Sequence, residues 1–266
     1  KIRGRDGFGF SVAPHEVVKC GVWAKGRFRG EQMLYHSERI YGIDISKYQH
    51  VHKRRVYGID WRNLRITRLG HTADRNALGA VDYPVSFVYI KSTEGLTVFN
   101  PYYTQDVRAA RRYGFPVGAY HFFSTRPAMS QADYFLKKSR LRKGDLPPML
   151  DVELSDRRIA AMGGRDVLFR EMLVWLKEVG RRSSTTPIIY VSQDFVNRYM
   201  PFAPEELKAY PVWVARYGEY KPYVHLLYWQ LSPDGRVRGI QGDVDIDVFN
   251  GSEEQFKRYL RTQTVK

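Results

Sequence analysis

Only one cysteine, Cys20, occurs in 266 residues. An intramolecular disulfide and a cysteine-built metal cluster are thereby excluded. No apolar run approaches the roughly 18 residues that a membrane-spanning helix needs. There is no Gly-x-Ser-x-Gly turn and no phosphate-cradling glycine loop, and Gly7-Phe8-Gly9 is a fragment without a strand and helix around it. The chain opens on Lys1 with neither Met nor an apolar signal core, so a targeting segment is not visible. Acidic residues are few beside basic ones, 28 against 43, and the resulting net charge of +15 favours an anionic partner through long-range attraction. Nucleic acid and anionic cell-wall polymer both fit that description, and charge does not separate them. What is present suffices for a real core: 43% of residues are hydrophobic and 14% aromatic, which excludes disorder for most of the chain. The length suits one large domain or two small ones.

Residues 1–40 carry scattered glycines, eight basic and four acidic residues, and no sustained period of either kind, which reads as an irregular basic extension. From residue 41 the texture changes to short apolar runs rich in β-branched and aromatic residues, at 41–46, 85–92, 116–124, 147–154, 187–192, 210–217, 226–232 and 243–249. Their interiors are mostly continuous rather than alternating, as expected of parallel strands covered on both faces. Helical patterns lie between the early runs. Asn100-Pro101 opens one that stops at Gly114, a second fits 128–141, and a third fits 165–179, where Val167, Leu168, Met172, Trp175, Leu176 and Val179 recur at helical spacing before Gly180. After Pro187 only 193–199 and 204–209 are left for helix. This order predicts an α/β barrel that loses its helices in its second half, with a doubly wound open sheet as the competitor. The connection 47–84 is the least regular. Its window 47–75 holds eight basic and two acidic residues, and 68–80 reads as an external loop.

Polar residues fall late in the runs: Asp44, Glu94, His121 and Asp151, then Tyr190, Arg216, Gln230 and Asp245. Barrel active sites gather at the carboxyl ends of the strands, so these groups are expected on one rim. In the fourth run, Pro-Pro-Met-Leu-Asp-Val-Glu-Leu, Asp151 and Glu153 share a face with Cβ atoms roughly 6.5 Å apart. Unpaired buried charge is costly, so such a pair needs a partner or a chemical role. Cleavage of a glycosidic bond offers such a role, in which one carboxylic acid protonates the leaving oxygen while a second group stabilises positive charge at the sugar carbon. Asp44 and Asp245 bring two further carboxylates, and like charges raise one another's pKa. A metal is poorly served. Asp243, Asp245 and Asp247 alternate on one strand without the glycine-bearing loop that calcium favours, and His50 and His52 have no third ligand at a zinc spacing. His121 fits a substrate hydrogen bond and a structural role equally. Tyr120, Tyr190 and Trp213 lie at strand ends, where an aromatic face can stack on a sugar ring.

Taken together, Y-G-I-D-I-S-K-Y-Q at 41–49, I-D-W at 59–61, F-V-Y-I-K-S-T-E-G at 87–95, G-A-Y-H-F-F at 118–123, P-M-L-D-V-E at 148–153, I-Y-V-S at 189–192, V-W-V-A-R-Y at 212–217, Y-W-Q at 228–230 and V-D-I-D-V-F-N-G at 244–251 make the chain resemble the glycoside hydrolase family 25 lysozymes, the muramidases that cut peptidoglycan. The resemblance implies an irregular TIM-like barrel over residues 41–266, with five β/α units followed by three strands with little helix. It implies hydrolysis of the β-1,4 bond between N-acetylmuramic acid and N-acetylglucosamine without metal or cofactor. Glu153 is then the proton donor and Asp151 assists the substrate's own acetamido group with retention of configuration. Asp44 and Asp245 match the other acids, and Glu94, Tyr120, Tyr190, Trp213 and Gln230 match groove positions, to which His121 is added from its place after the third run. Expected partners are peptidoglycan glycan strands and anionic wall polymers, met outside the cytoplasm or in the cell envelope. A non-catalytic glycan-binding barrel is the alternative; a nucleic-acid role rests on charge alone.

Overall fold

The structure is a computed structural model that describes residues 7–11, 19–31, 39–52, 54–71, 76–215 and 224–266. Eight strands close into a barrel: Ile40–Ile45, Val88–Glu94, Val117–Phe122, Met149–Val152, Ile188–Ser192, Pro211–Ala215, His225–Arg238 and Val244–Phe249. Each coincides with one of the eight apolar runs. The first seven pair in parallel in chain order, and the eighth closes the ring antiparallel to both the seventh and the first. That reversal corrects one expectation. Asp245 sits near the start of its strand, not late, and reaches the rim formed by the other strands' carboxyl ends because its own strand runs the opposite way, directly facing Asp44.

Strand alternation divides the apolar residues into two sets. Tyr41, Ile43, Ile45, Val88 and Ile90 point outward into the layer shared with the helices. Ile40, Tyr89, Tyr120, Met149, Tyr190, Trp213 and Tyr228 belong to a second cluster that fills the barrel. Two glycines make room for its rings: a Cβ on Gly42 would stand 2.3 Å from the Phe87 ring, and one on Gly118 would stand 2.3 Å from that of Tyr89. The floor is sealed from below by the C-terminal helix, whose Phe256 and Tyr259 pack on Phe249.

Helix α1 (Tyr103–Arg112) follows the second strand, α2 (Ala128–Ser139) the third, α3 (Asp156–Ala161) and α4 (Arg165–Ser183) the fourth, α5 (Gln193–Arg198) and α6 (Glu205–Lys208) the fifth, and α7 (Glu253–Thr262) the eighth. Helix α4 runs past Gly180, which was expected to end it. The missing side chain there serves close packing instead, since a Cβ would lie 3.1 Å from Pro187. Among the described residues, the crossover from first to second strand has no α-helix. It holds two short 3-10 turns, a small antiparallel ribbon of Val51–His52 with Arg55–Val56, and a hairpin, Arg65–His71 with Asn76–Pro84, where a loop was expected at 68–80. The hairpin continues the barrel wall: the seventh strand overshoots the rim and its far end pairs antiparallel with Arg65–His71. The amino-terminal stretch, expected to be irregular, forms a three-stranded antiparallel sheet from Gly7–Ser11, Lys19–Ala24 and Arg27–Glu31. Alternation in such short, glycine-punctuated strands is too brief to show a period. Arg216 lies outside the described residues.

Candidate active site

Asp44 is the last inward residue of the first strand, in the Gly42, Asp44 series. Asp151 is the last inward residue of the fourth strand, and Glu153 stands one residue past that strand's end. With Asp245 these acids line one cavity of about 290 Å³ at the mouth of the barrel, walled by Tyr120, Phe122, Tyr190 and Gln230 and by residues that were not anticipated: Ser46, Tyr48, Lys91 and Met149. Two larger clefts, of about 610 and 450 Å³, lie on the outer face of α4. Neither assembles a group of acids, so size does not mark the site here.

Hydrogen bonds fix the mouth. Tyr190 Oη donates to Gln230 Oε1 at 3.2 Å, and Gln230 Nε2 donates to Asp44 Oδ2 at 3.1 Å. That orients an otherwise reversible amide and holds one oxygen of Asp44. Burial pushes the Asp44 carboxyl up to about 6; the Gln230 hydrogen bond opposes the rise and the charge of Glu153 adds to it. Asp151 is pushed well above the carboxylate range, first by burial and then by Glu153 and Asp44, and no donor among the described residues reaches its Oδ1. Glu153 is raised by desolvation, against the pull of the Lys91 cation, while its side chain stays open to solvent at the rim. Three carboxyls at one mouth thus favour their protonated forms to different degrees, the condition for dividing acid and base roles between them.

Lys91 is the single cation lining the cavity among the described residues. Its Nζ lies 2.8 Å from Glu94 Oε2 and 4.4 Å from the centre of the Phe122 ring. Glu94 is therefore a rim residue anchoring Lys91, not a cavity wall. Beneath the mouth, Asp247 is fully buried, and burial, with the charges of Asp44 and Asp245, drives its carboxyl well above the normal range.

Two expected groove residues are elsewhere. His121 points outward from the third strand and is fully buried, with Nδ1 2.7 Å from Thr93 Oγ1, Nε2 3.1 Å from Gln131 Oε1, and its ring stacked on Trp175. Burial holds its pKa down at about 4, so it is a neutral strut between sheet and helices. Alternation explains this placement, because its neighbours Tyr120 and Phe122 take the inward positions. Trp213 points inward but lies one layer too deep, fully buried against Tyr89 and Tyr228. Of the residues considered for metal, His50 sits 2.7 Å from Asp106 and Asp243 pairs with Arg236 at 2.7 Å; no group of three ligating side chains suited to a metal occurs among the described residues. Lys91 was the legible omission, since it occupies an inward position two residues after Tyr89.

A closed barrel whose strand ends present several carboxyls of raised pKa to one small mouth is an arrangement suited to glycoside hydrolysis. Residues 43–240 match the Glycosyl hydrolases family 25. The protein YegX of Escherichia coli strain CFT073 is 33% identical over 228 residues, covering 84% of this chain and 74% of YegX. Lysozyme M1 of Streptomyces globisporus is 28% identical over 229 residues, covering 80% of this chain and 68% of its own. The structure of the bacterial lysozyme from Streptomyces coelicolor superposes with a TM-score of 0.67 at 26% identity, over 86% of this chain and 98% of that one. The chain belongs to glycosyl hydrolase family 25 and is a glycoside hydrolase of the lysozyme type.

Proposed function

We propose that the chain is an N-acetylmuramidase that hydrolyses the β-1,4 bond between N-acetylmuramic acid and N-acetylglucosamine in peptidoglycan, acting outside the cytoplasm or in the cell envelope. The observation that carries this reading is the contrast between the two acids of the fourth strand. Glu153 is raised in pKa yet open at the rim, as a proton donor to a leaving oxygen must be. Asp151 is buried at the same mouth with Oδ1 unmatched by any donor among the described residues, which suits an acceptor for the N–H of the substrate's acetamido group. That hydrogen bond would lower the Asp151 pKa and orient the acetamido oxygen toward the sugar carbon. Attack by that oxygen forms a cyclic intermediate, Glu153 passes its proton to the departing sugar, and water then opens the intermediate with retention of configuration. Asp44, held by Gln230, and Asp245 supply negative potential as positive charge grows on the ring. Tyr120 and Tyr190 present aromatic walls to the sugar.

Purified protein should solubilise peptidoglycan and leave new reducing ends on muramic acid. Glu153→Gln should lower kcat by at least about 10³-fold, the scale of removing an essential proton donor. Reducing ends on glucosamine, or near-full activity of that variant, would overturn the assignment.

A further inference from the structure

Beside the catalytic mouth lies a second cavity, of about 590 Å³, whose lining includes His52, Thr67, Arg68, Arg236, Arg238 and Asp243. It is built by the overshooting seventh strand and the hairpin strand that pairs with it, Arg236 lying opposite Arg68 across the ladder. All three arginines are exposed. Asp243 neutralises Arg236 at 2.7 Å, whereas Arg68 has no acid partner among the described residues, so the lining keeps a positive balance. Planar guanidinium forks at fixed positions on a strand pair are suited to carboxylates.

This cavity and the catalytic mouth share their framework. Asp243, the residue just before the eighth strand, lines the one and Asp245, the second residue of that strand, lines the other, so the two backbones lie roughly 7 Å apart. The 3-10 turn that carries Tyr48 at the mouth is fastened to the same place, with Gln49 Nε2 donating to the Asp243 carbonyl at 3.1 Å. A muramic acid ring bound at the mouth with its lactyl substituent turned toward the start of the eighth strand would bring the acidic peptide attached to it to the arginines within two or three residues. A separate phosphate polymer has no such tether.

We propose that the arginine-lined cavity binds the carboxylates of the peptide stem borne by the muramic acid in the catalytic mouth, a proposal that rests on the muramidase reading above. The groove makes the enzyme selective for stem-bearing glycan over bare glycan.

The test compares the wild-type chain with the double variant Arg68→Gln and Arg238→Gln, which keeps side-chain length on exposed strand positions. Substrates are peptidoglycan with its stems and the same glycan after an amidase has removed them. KM for the stem-bearing form should rise about tenfold in the variant with kcat unchanged, as expected for losing exposed charge-assisted contacts, while both parameters for the bare glycan stay at the wild-type values. An unchanged KM on stem-bearing material, or an equal rise on both substrates, overturns the proposal. So does a loss that disappears when wall phosphate polymers are stripped and stems kept. Should the wild type cleave neither substrate, the muramidase reading fails by itself. Calorimetric titration with soluble N-acetylmuramyl peptide then decides the groove: weaker binding to the variant supports it, and equal binding overturns it.

Discussion

Replacing Asp44 by Asn should make the protein more stable at neutral pH while impairing catalysis. The carboxyl is 9% exposed and is carried from its ordinary 3.8 to about 6, chiefly by burial. Each tenfold change in acidity corresponds to about 1.4 kcal/mol, so keeping this group ionised in the fold costs about 3 kcal/mol. Between these two values the folded state binds more protons than the unfolded chain, so wild-type stability falls as pH rises from about 4 through about 6 and is flat above. Asparagine has no charge to lose and its carbonyl still accepts from Gln230. The variant and wild type should therefore be equally stable near pH 3.5 and diverge by about 3 kcal/mol at pH 8, or several degrees in Tm for a chain of this size. Loss of the Asp44 charge also relieves Asp151, which adds to the gain. Urea unfolding of both proteins at the two pH values measures it. Equal stability at pH 8, or the same offset at both values, would refute the reasoning.

Two structural substitutions test the scaffold. His50→Ala removes the partner of Asp106, both nearly fully buried and 2.7 Å apart, and should cost about 3–5 kcal/mol, the usual penalty for orphaning one member of a buried pair. Burial alone would depress the His50 pKa, but the hydrogen bond and charge of Asp106 raise it, so the histidine's contribution is present below its ordinary value of 6.5 and is lost as pH climbs through the raised one. Burial also raises the Asp106 carboxyl against the pull of His50, so the ionised pair weakens again in acid as that carboxyl protonates. A loss below about 1 kcal/mol at pH 6 in urea unfolding would contradict this. Gly42→Ala drives a methyl into the Phe87 ring and should cost about 1–3 kcal/mol by overpacking. Adding Phe87→Leu should return part of the loss; an unchanged Tm in the single variant would show that the ring yields freely.

The eight strands and the principal helices were legible because buried parallel strands write continuous apolar runs and helices write a 3.6-residue period. Strand direction was not, since a run of Val, Ile and Phe reads alike whichever way it crosses a sheet. Hence Asp245 was expected at the rim for the wrong geometrical reason. The hairpin at 65–84 escaped notice because one of its faces is open to solvent and its basic residues look like a loop. Among site residues, the acids, Tyr120, Tyr190 and Gln230 meet at one cavity, while His121 and Trp213 were displaced by parity and by depth. Proximity to a strand end gives neither quantity. Lys91 was passed over because a lone lysine in a basic chain carries little signal, although its inward position follows from counting alternate residues from Tyr89.

Closure by the eighth strand also sets when the enzyme can exist. Gln230 and Asp44, hydrogen-bonded in the finished mouth, are 186 residues apart in the chain, and Asp245 meets Asp44 only when the last strand docks against the first. Contacts of that span form late because loop closure must precede them. During synthesis, which proceeds from the amino terminus, no chain that stops short of the eighth strand holds the assembled set of acids. With the roles proposed for those acids, a nascent chain stays inert toward its substrate until that strand has emerged and docked, so activity is gated by completion of the barrel itself.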